Sequence, residues 1–470
     1  MRRIPTVDQS TKRHSECSLF GAFRTASRAT WQAVKARAHR SEDPSLAPTS
    51  SAVAHAAGTS APSGPPDQTR QGRFSTGSLD FSGCPPSRGD GHGMDKVVRR
   101  SNRFSLRLFK RVSSLDSRST VCLCPFAVFH ALLMTYASAQ GNTKLQMAKA
   151  FKVNKKYDLH SGFQALLHVL HREKPEVRQE LACHVFVERS FPLAPALRSV
   201  LTDKHLAEVH LVEMSNAPEQ VRSIVNSTVE RTTVGNICQL LVSGVADQDS
   251  KILFFNSLTY KANWEKPFPS RKAVTEKHPF KLMGGADSTA ELVCISGFYR
   301  HHRDADMNLL VVEVPFKSGQ LSMVLFLGDN PCSLKRFHKH LTVELYEKLI
   351  GQLSYDENIT VNVPMLKLEE TVQPSYTLQH MGFVDLFDEH ADLGGTGKGL
   401  FVSDIMQKVT LTIDTTGMSA SAAVSVALTD YYTEELPKAY RDVPSTRPFI
   451  YVIKNQETGV ILFMGAVQDL

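Results

Sequence analysis

The stretch Met418–Leu428 constrains this chain more than any other. Its even positions are Met418, Ala420, Ala422, Val424, Val426 and Leu428, and its odd positions are Ser419, Ser421, Ala423, Ser425 and Ala427. Apolar side chains at every second place, separated by small ones, have the period of a β-strand that buries one face. No charged residue occurs from Thr415 to Thr429, Gly417 opens the segment, and Asp430, Tyr431, Tyr432, Thr433, Glu434 and Glu435 follow it. Two readings fit this pattern: a loop built to enter a sheet as an extra strand, or an ordinary strand followed by a turn.

At 470 residues the chain has room for one large domain or two to three ordinary ones. Residues 1–93 hold 12 of the 54 Lys and Arg but only 7 of the 47 Asp and Glu, so most of the net charge of +7 sits there. The rest is close to neutral, which argues against a nucleic-acid-binding body. From Ser41 to Gly93 the chain is dominated by Ser, Pro, Gly, Ala and Thr without a sustained apolar period. It cannot bury enough surface to offset its ordering entropy, so residues 1–93 read as a disordered extension and 94–470 as the folded domain. Met94 offers an alternative start, which would make the extension an artefact of the gene prediction. Arg88, Gly89 and Asp90 spell an integrin-type tripeptide of a kind common by chance. The first 30 residues contain no continuous apolar core of a signal peptide, and no apolar run reaches the ~18 residues of a membrane span. The cysteines have no zinc spacing beyond the C-x-C of Cys122 and Cys124 and read as core or free thiols.

Apolar periodicity places helices over Asn102–Val112, Cys124–Ala137, Lys144–Phe151 (capped by Asn142 and Thr143), His160–Arg172, Val221–Leu241 and Tyr376–Gly382. Strands are expected over Ala182–Val187, Lys251–Leu258, Thr360–Leu368 and Val409–Ile413. Leu309–Pro315 with Leu321–Leu327, and Ile450–Ile453 with Val460–Met464, read as hairpins. The mixture lacks a βαβ alternation and indicates an α+β fold. No P-loop, dinucleotide fingerprint, H-E-x-x-H or G-x-S-x-G occurs, and the pairs His301, His302 and His338, His340 read as solvated or core residues, so no enzyme, cofactor or metal is expected. Asn226 and Asn358 head glycosylation sequons, the first on a helix beside a sheet, a place that argues against its use.

Several motifs in order resemble the serpin family over residues 94–470. VSDIMQKVTLTIDTTG (Val402–Gly417) is similar to the strand leading into the family's reactive loop, and RPFIYVIKNQETGVILFMGAVQDL (Arg447–Leu470) to its C-terminal signature. NSLTYKANWEKPF (Asn256–Phe268) resembles the motif around its buried tryptophan, here Trp264. SNRFSLRLFKRV, CPFAVFHALLMTYASAQGNTKLQM and GFVDLFDEHADLGG complete the set.

The resemblance implies a large central sheet, smaller sheets, about eight to nine helices and an exposed reactive-centre loop. It implies suicide inhibition: a protease forms an acyl-enzyme on the loop, and the freed loop inserts into the main sheet before deacylation. The hinge would be Thr415, Thr416, Gly417, Met418, Ser419, Ala420, Ser421, Ala422 and Ala423, and the reactive bond Tyr431–Tyr432 within the range Tyr431–Pro437. An aromatic residue at the cleaved bond suits a chymotrypsin-like serine protease, with a cysteine protease as a second target class. Met418 replaces a small hydroxyl residue of the family's hinge, which would slow the first step of insertion. In the shutter and breach, Asn256 and Trp264 are kept, whereas Cys124, Ala127 and Gln407 replace the family's two serines and histidine, which removes hydrogen-bond partners. The alternative function is a noninhibitory binding or carrier protein cleaved as a plain substrate. By resemblance the protein is a monomer in the extracellular space, with the cytoplasm as the alternative. Weak glycosaminoglycan binding would use Lys96, Arg99, Arg100, Arg103, Arg107, Lys110 and Arg111, or His168, His171, Arg172 and Lys174.

Overall fold

The structure, a computed structural model, describes residues 90–113, 120–153, 158–172, 177–191, 193–233, 251–265, 277–282, 287–317, 319–356, 358–394, 407–413, 417–419, 442–443 and 447–468, with single positions at 235, 237, 239–241, 401–402 and 405. The extension before Asp90, including Arg88 and Gly89, lies outside them. Helix α1 runs Asp90–Val112, so it starts well before Asn102 and crosses the expected boundary at Met94. Its Phe104 and Leu108 face one core and Leu106 and Phe109 another, because both sides of its C-terminal half are covered.

Strand β1 (Val121–Leu123) leads into α2 (Pro125–Ser138), whose Phe126, Phe129, Leu132 and Leu133 are fully buried, each contributing roughly 1.5–3 kcal/mol of transfer free energy. Helix α3 spans Gly141–Phe151 from an N-cap at Gln140, not Asn142 or Thr143. Asn142 instead donates to Asp385 and Thr143 accepts from the Asp392 amide, so both side chains tie the helix to another segment. Helix α4 (Leu159–Leu170) is capped by Asp158, whose carboxylate accepts from the amides of His160 and Ser161.

The main sheet is built from β2 (Val177–Glu188), β3 (Glu208–Val212), β4 (Ile252–Asn263), β11 (Leu366–Val372), β12 (Gln407–Ile413) and β13 (Gly417–Ser419), in the order β11-β12-β13-β4-β2-β3. Only β2 and β3 pair parallel; α5 (Pro195–Ser199) lies between them in the chain, and α6 (Pro218–Thr232) follows β3. Helix α6 ends earlier than expected, and Asn226 shows why. Its Oδ1 accepts from the amides of Leu240 and Leu241 and its Nδ2 donates to the Leu241 carbonyl, all within 3.0 Å, so the returning chain caps the helix flank. A buried amide with both ends used leaves no place for a glycan. Asn358 is exposed at the head of its strand.

A second six-stranded sheet contains β7 (Arg300–Asp304), β8 (Leu309–Pro315), β9 (Leu321–Gly328), β15 (Phe449–Asn455) and β16 (Ile461–Val467), closed by β1. Alternate residues of β9 enter different cores, Met323 and Leu325 one, Val324 and Phe326 the other. That two-sided burial explains the unbroken apolar runs. Helices α7 (Pro331–His340) and α8 (Val343–Gly351) cover the second core with Leu334, Phe337, Tyr346 and Leu349. In the C-terminal motif Gly465 is needed because a Cβ there would collide with the Val121 carbonyl and the Tyr451 hydroxyl.

The third sheet holds β5 (Lys277–Lys281), β6 (Asp287–Phe298), β10 (Asn358–Pro364) and β14 (Asp442–Val443). The single strand expected over Thr360–Leu368 is thus two, β10 and β11, in different sheets. Helix α9 (Ser375–His380) brings the helices among the described residues to nine.

Candidate functional site: the gap between β4 and β12

The chain leaves β12, turns, and returns as β13 antiparallel to it, with Thr412 opposite Ser419 and Ile413 opposite Met418. On its other side β13 pairs antiparallel with β4: Gly417 with Asn263, Met418 with Ala262 and Ser419 with Lys261. Three residues of the expected hinge, Gly417, Met418 and Ser419, therefore lie as a strand between β4 and β12. Among the described residues no ladder joins those two strands directly. Trp264 sits beside this entry, buried and stacked on Phe316 at 4.5 Å between ring centroids. Thr415, Thr416, Ala420, Ser421, Ala422, Ala423, Tyr431 and Tyr432 fall outside the described residues.

Farther down, each strand is fastened to the first turn of α2. Gln407 of β12 donates through Nε2 to the Cys124 carbonyl (2.5 Å), and its Oε1 accepts from the Cys124 amide (3.1 Å). Asn256 of β4 donates to the Ala127 carbonyl at 3.2 Å. The substitutions at Cys124, Ala127 and Gln407 were expected to remove hydrogen bonds, yet Gln407 makes two by reaching backbone groups that a shorter side chain would leave unpaired. The remaining deficit is Asn256 Oδ1, buried without a partner. Burial pushes the thiols of Cys122 and Cys124 up to about 12, so neither is a nucleophile at neutral pH.

Most of the basic residues considered for glycosaminoglycan binding have partners within the molecule. Arg99 pairs with Glu347 (2.8 Å) and Arg103 with Glu344 (2.8 Å) on α8. Arg107 donates to the carbonyls of Ala150 and Met381, Arg100 to Lys152 and Lys96, and Lys110 to Lys339. His171 bonds the Leu167 and Leu181 carbonyls and Arg172 pairs with Glu457. Lys174 lies outside the described residues.

Two histidine groups escaped the sequence reading. His130, His160 and His205 meet under α2 and α4, with His160 Nδ1 2.9 Å from His205 Nε2 and the His130 and His205 rings stacked at 5.3 Å. Burial lowers all three below the ordinary imidazole value, His130 to about 3. The second group, His184, Glu208 and His210, spans β2 and β3. A helical spacing made His160 visible as part of a helix, but no sequence signal gives the register that sets His184 against Glu208.

The family profile "Serpin (serine protease inhibitor)" matches residues 99–470. The bovine (Bos taurus) leukocyte elastase inhibitor is 28% identical over 383 residues, covering 80% of this chain and 100% of the relative. A cleaved, loop-inserted ovalbumin mutant superposes with a TM-score of 0.69 at 21% identity, covering 79% of this chain and 98% of that one. Human thyroxine-binding globulin complexed with thyroxine gives 0.70 at 20% identity, covering 80% and 99%. A sheet that receives the start of a loop between two strands, with this match over most of the chain, defines the class: the chain belongs to the serpin family.

Proposed function

We propose that this protein inhibits a serine endopeptidase by trapping it after cleavage of the Gly417–Pro437 loop, with a chymotrypsin-like enzyme as target and Tyr431–Tyr432 as the bond attacked. The observation that carries this reading is the lodging of Gly417–Ser419 between β12 and β4. Continuing both ladders without a bulge would bring Val424 level with Gln407 on one side and Asn256 on the other. The alternating small and apolar residues up to that point suit a sheet interior. The driving force would be a native state that is kinetically held, released when cleavage frees the loop.

Of the two compartments left open by the sequence, the four cysteines whose side chains are described favour a reducing one. Cys122, Cys124 and Cys183 are buried and unpaired and Cys332 is exposed and unpaired. That reverses the order in which extracellular and cytoplasmic were placed by resemblance.

The test is to incubate the full chain with a chymotrypsin-like protease and resolve the products on denaturing gels, with mass spectrometry of the released C-terminal peptide. A complex that survives denaturation, and a peptide starting at Tyr432, are expected. Cleavage without a complex would mean a noninhibitory binding or carrier protein that is merely a substrate. A peptide starting elsewhere within 432–437 would move the reactive bond.

A further inference from the structure

We propose that His184, Glu208 and His210 form a site for one zinc-type divalent cation on the edge of the main sheet. The parallel register sets His184 of β2 opposite Glu208 of β3, and Phe186 opposite His210. Glu208 and His210 are two residues apart on one strand and so share a face, and paired residues in a ladder share it too. Three donor atoms converge there: His184 Nδ1 lies 3.1 Å from His210 Nε2 and 3.5 Å from Glu208 Oε2, and His210 Nε2 lies 3.7 Å from the same oxygen. A tetrahedral zinc with bonds of about 2.0–2.2 Å has ligand-to-ligand edges of about 3.3–3.5 Å. The three atoms already form one face of such a tetrahedron.

Hydrogen bonding alone serves this triangle poorly. One proton on His184 Nδ1 can go to the imidazole nitrogen or to the carboxylate, not to both, whereas a cation engages all three. The rings are held from moving apart: His210 stacks on Phe186 at 4.9 Å and His184 on Phe255 at 6.0 Å. Glu208 is 64% exposed and His210 34%, so the fourth position opens to water, while His184 at 2% forms the floor. Two imidazoles and one carboxylate select zinc, or its neighbours cobalt, nickel and copper, over calcium or magnesium. Arg231 at the end of α6 acts electrostatically on both histidines and opposes a cation, so the affinity is set below that of a closed structural site. A bound ion would pin the edge strand β3 to β2, beside the part of the sheet that the loop enters.

The experiment titrates Zn2+ into metal-free full-length protein by calorimetry, alongside His210→Ala and Glu208→Gln, with circular dichroism to confirm folding. Both substituted side chains reach solvent, so both variants should fold. The wild type is expected to bind one Zn2+ more than His210→Ala, to lose at least tenfold in affinity at that site in Glu208→Gln, and to gain thermal stability with Zn2+ but not with Mg2+. Histidines elsewhere, such as His14, His39, His55 and His92, bind equally in all three proteins and cancel. Identical isotherms and identical midpoint shifts in the three proteins, or an equal response to Mg2+, overturn the proposal.

Discussion

The two ends of the gap between β4 and β12 are held in different ways. At the upper end β13 occupies the space and supplies backbone hydrogen bonds to both neighbours. At the level of Gln407 and Asn256 the strands are instead fastened sideways to α2, through Cys124 and Ala127. Backbone pairing is indifferent to side-chain identity, whereas the side-chain tether depends on one glutamine and one asparagine. On the proposed mechanism, entry of the loop would be permitted by geometry at the top and governed by specific residues lower down.

The largest effect should come from Val424→Arg, because the continued register carries position 424 to the level of the tether. An unpaired charge buried there costs several kcal/mol, enough to stop insertion. The variant is expected to be cleaved by the target protease as fast as wild type and to yield no complex on a denaturing gel. A complex formed at the wild-type rate would mean that the loop does not follow the β13 register, and the comparison between the two ends would collapse.

Acid should loosen the lower end first, since His130 lies on α2, the helix that holds both strands. Its two ring nitrogens have no partner, it packs against Phe126, Phe163 and His205, and His171 acts on it electrostatically. The fold lowers His130 to about 3 and His205 well below 6.5, so the unfolded chain takes up these protons first. Their contribution is complete above pH 6.5 and declines as the pH falls from there toward about 3. One unit below 6.5, at pH 5.5, the pair should cost about 3 kcal/mol of stability. Urea unfolding at pH 7.5 and 5.5 measures this, and hydrogen exchange at the α2 amides should quicken before that at β13. A flat profile over that range would remove the pair from the account.

Gln407→Ala tests the tether itself. It strands the Cys124 amide and carbonyl in a buried place, a loss of about 1–3 kcal/mol. Asn256→Ala should cost less, about 0.5–1.5 kcal/mol, because it removes one bond and also an oxygen that has no partner. Thermal or urea midpoints rank the two, and the reverse order would place the main fastening on β4.

This contrast also marks what could be read in advance. Helices α2 and α4 were legible because their apolar positions recur with the helical period, and Met418–Leu428 because its period is two. The division between β10 and β11 had one local signal, Pro364 at the end of β10, but the change of sheet that follows it is a tertiary event. Loss of shutter bonds follows from residue types alone, but Gln407 is long enough to reach the backbone amide and carbonyl of Cys124. The His184 site depends on a parallel register between segments joined through α5, and local sequence carries no such information.

The smallest effect is expected at the upper end, from Met418→Thr. A small hydroxyl residue at this place would speed insertion if the first step were limiting. In the structure position 418 is already paired on both sides, with Ile413 and Ala262, while methionine is the residue there. On the proposed mechanism the step that a smaller side chain would ease is then already taken, which would place the barrier at the tether below. Association with the target protease should change by less than about threefold, under ~0.7 kcal/mol in activation free energy. Stopped-flow inhibition kinetics resolve such a difference, with Gln407→Ala run beside it. A tenfold gain from Met418→Thr would return the barrier to the hinge and make the two ends of the gap alike.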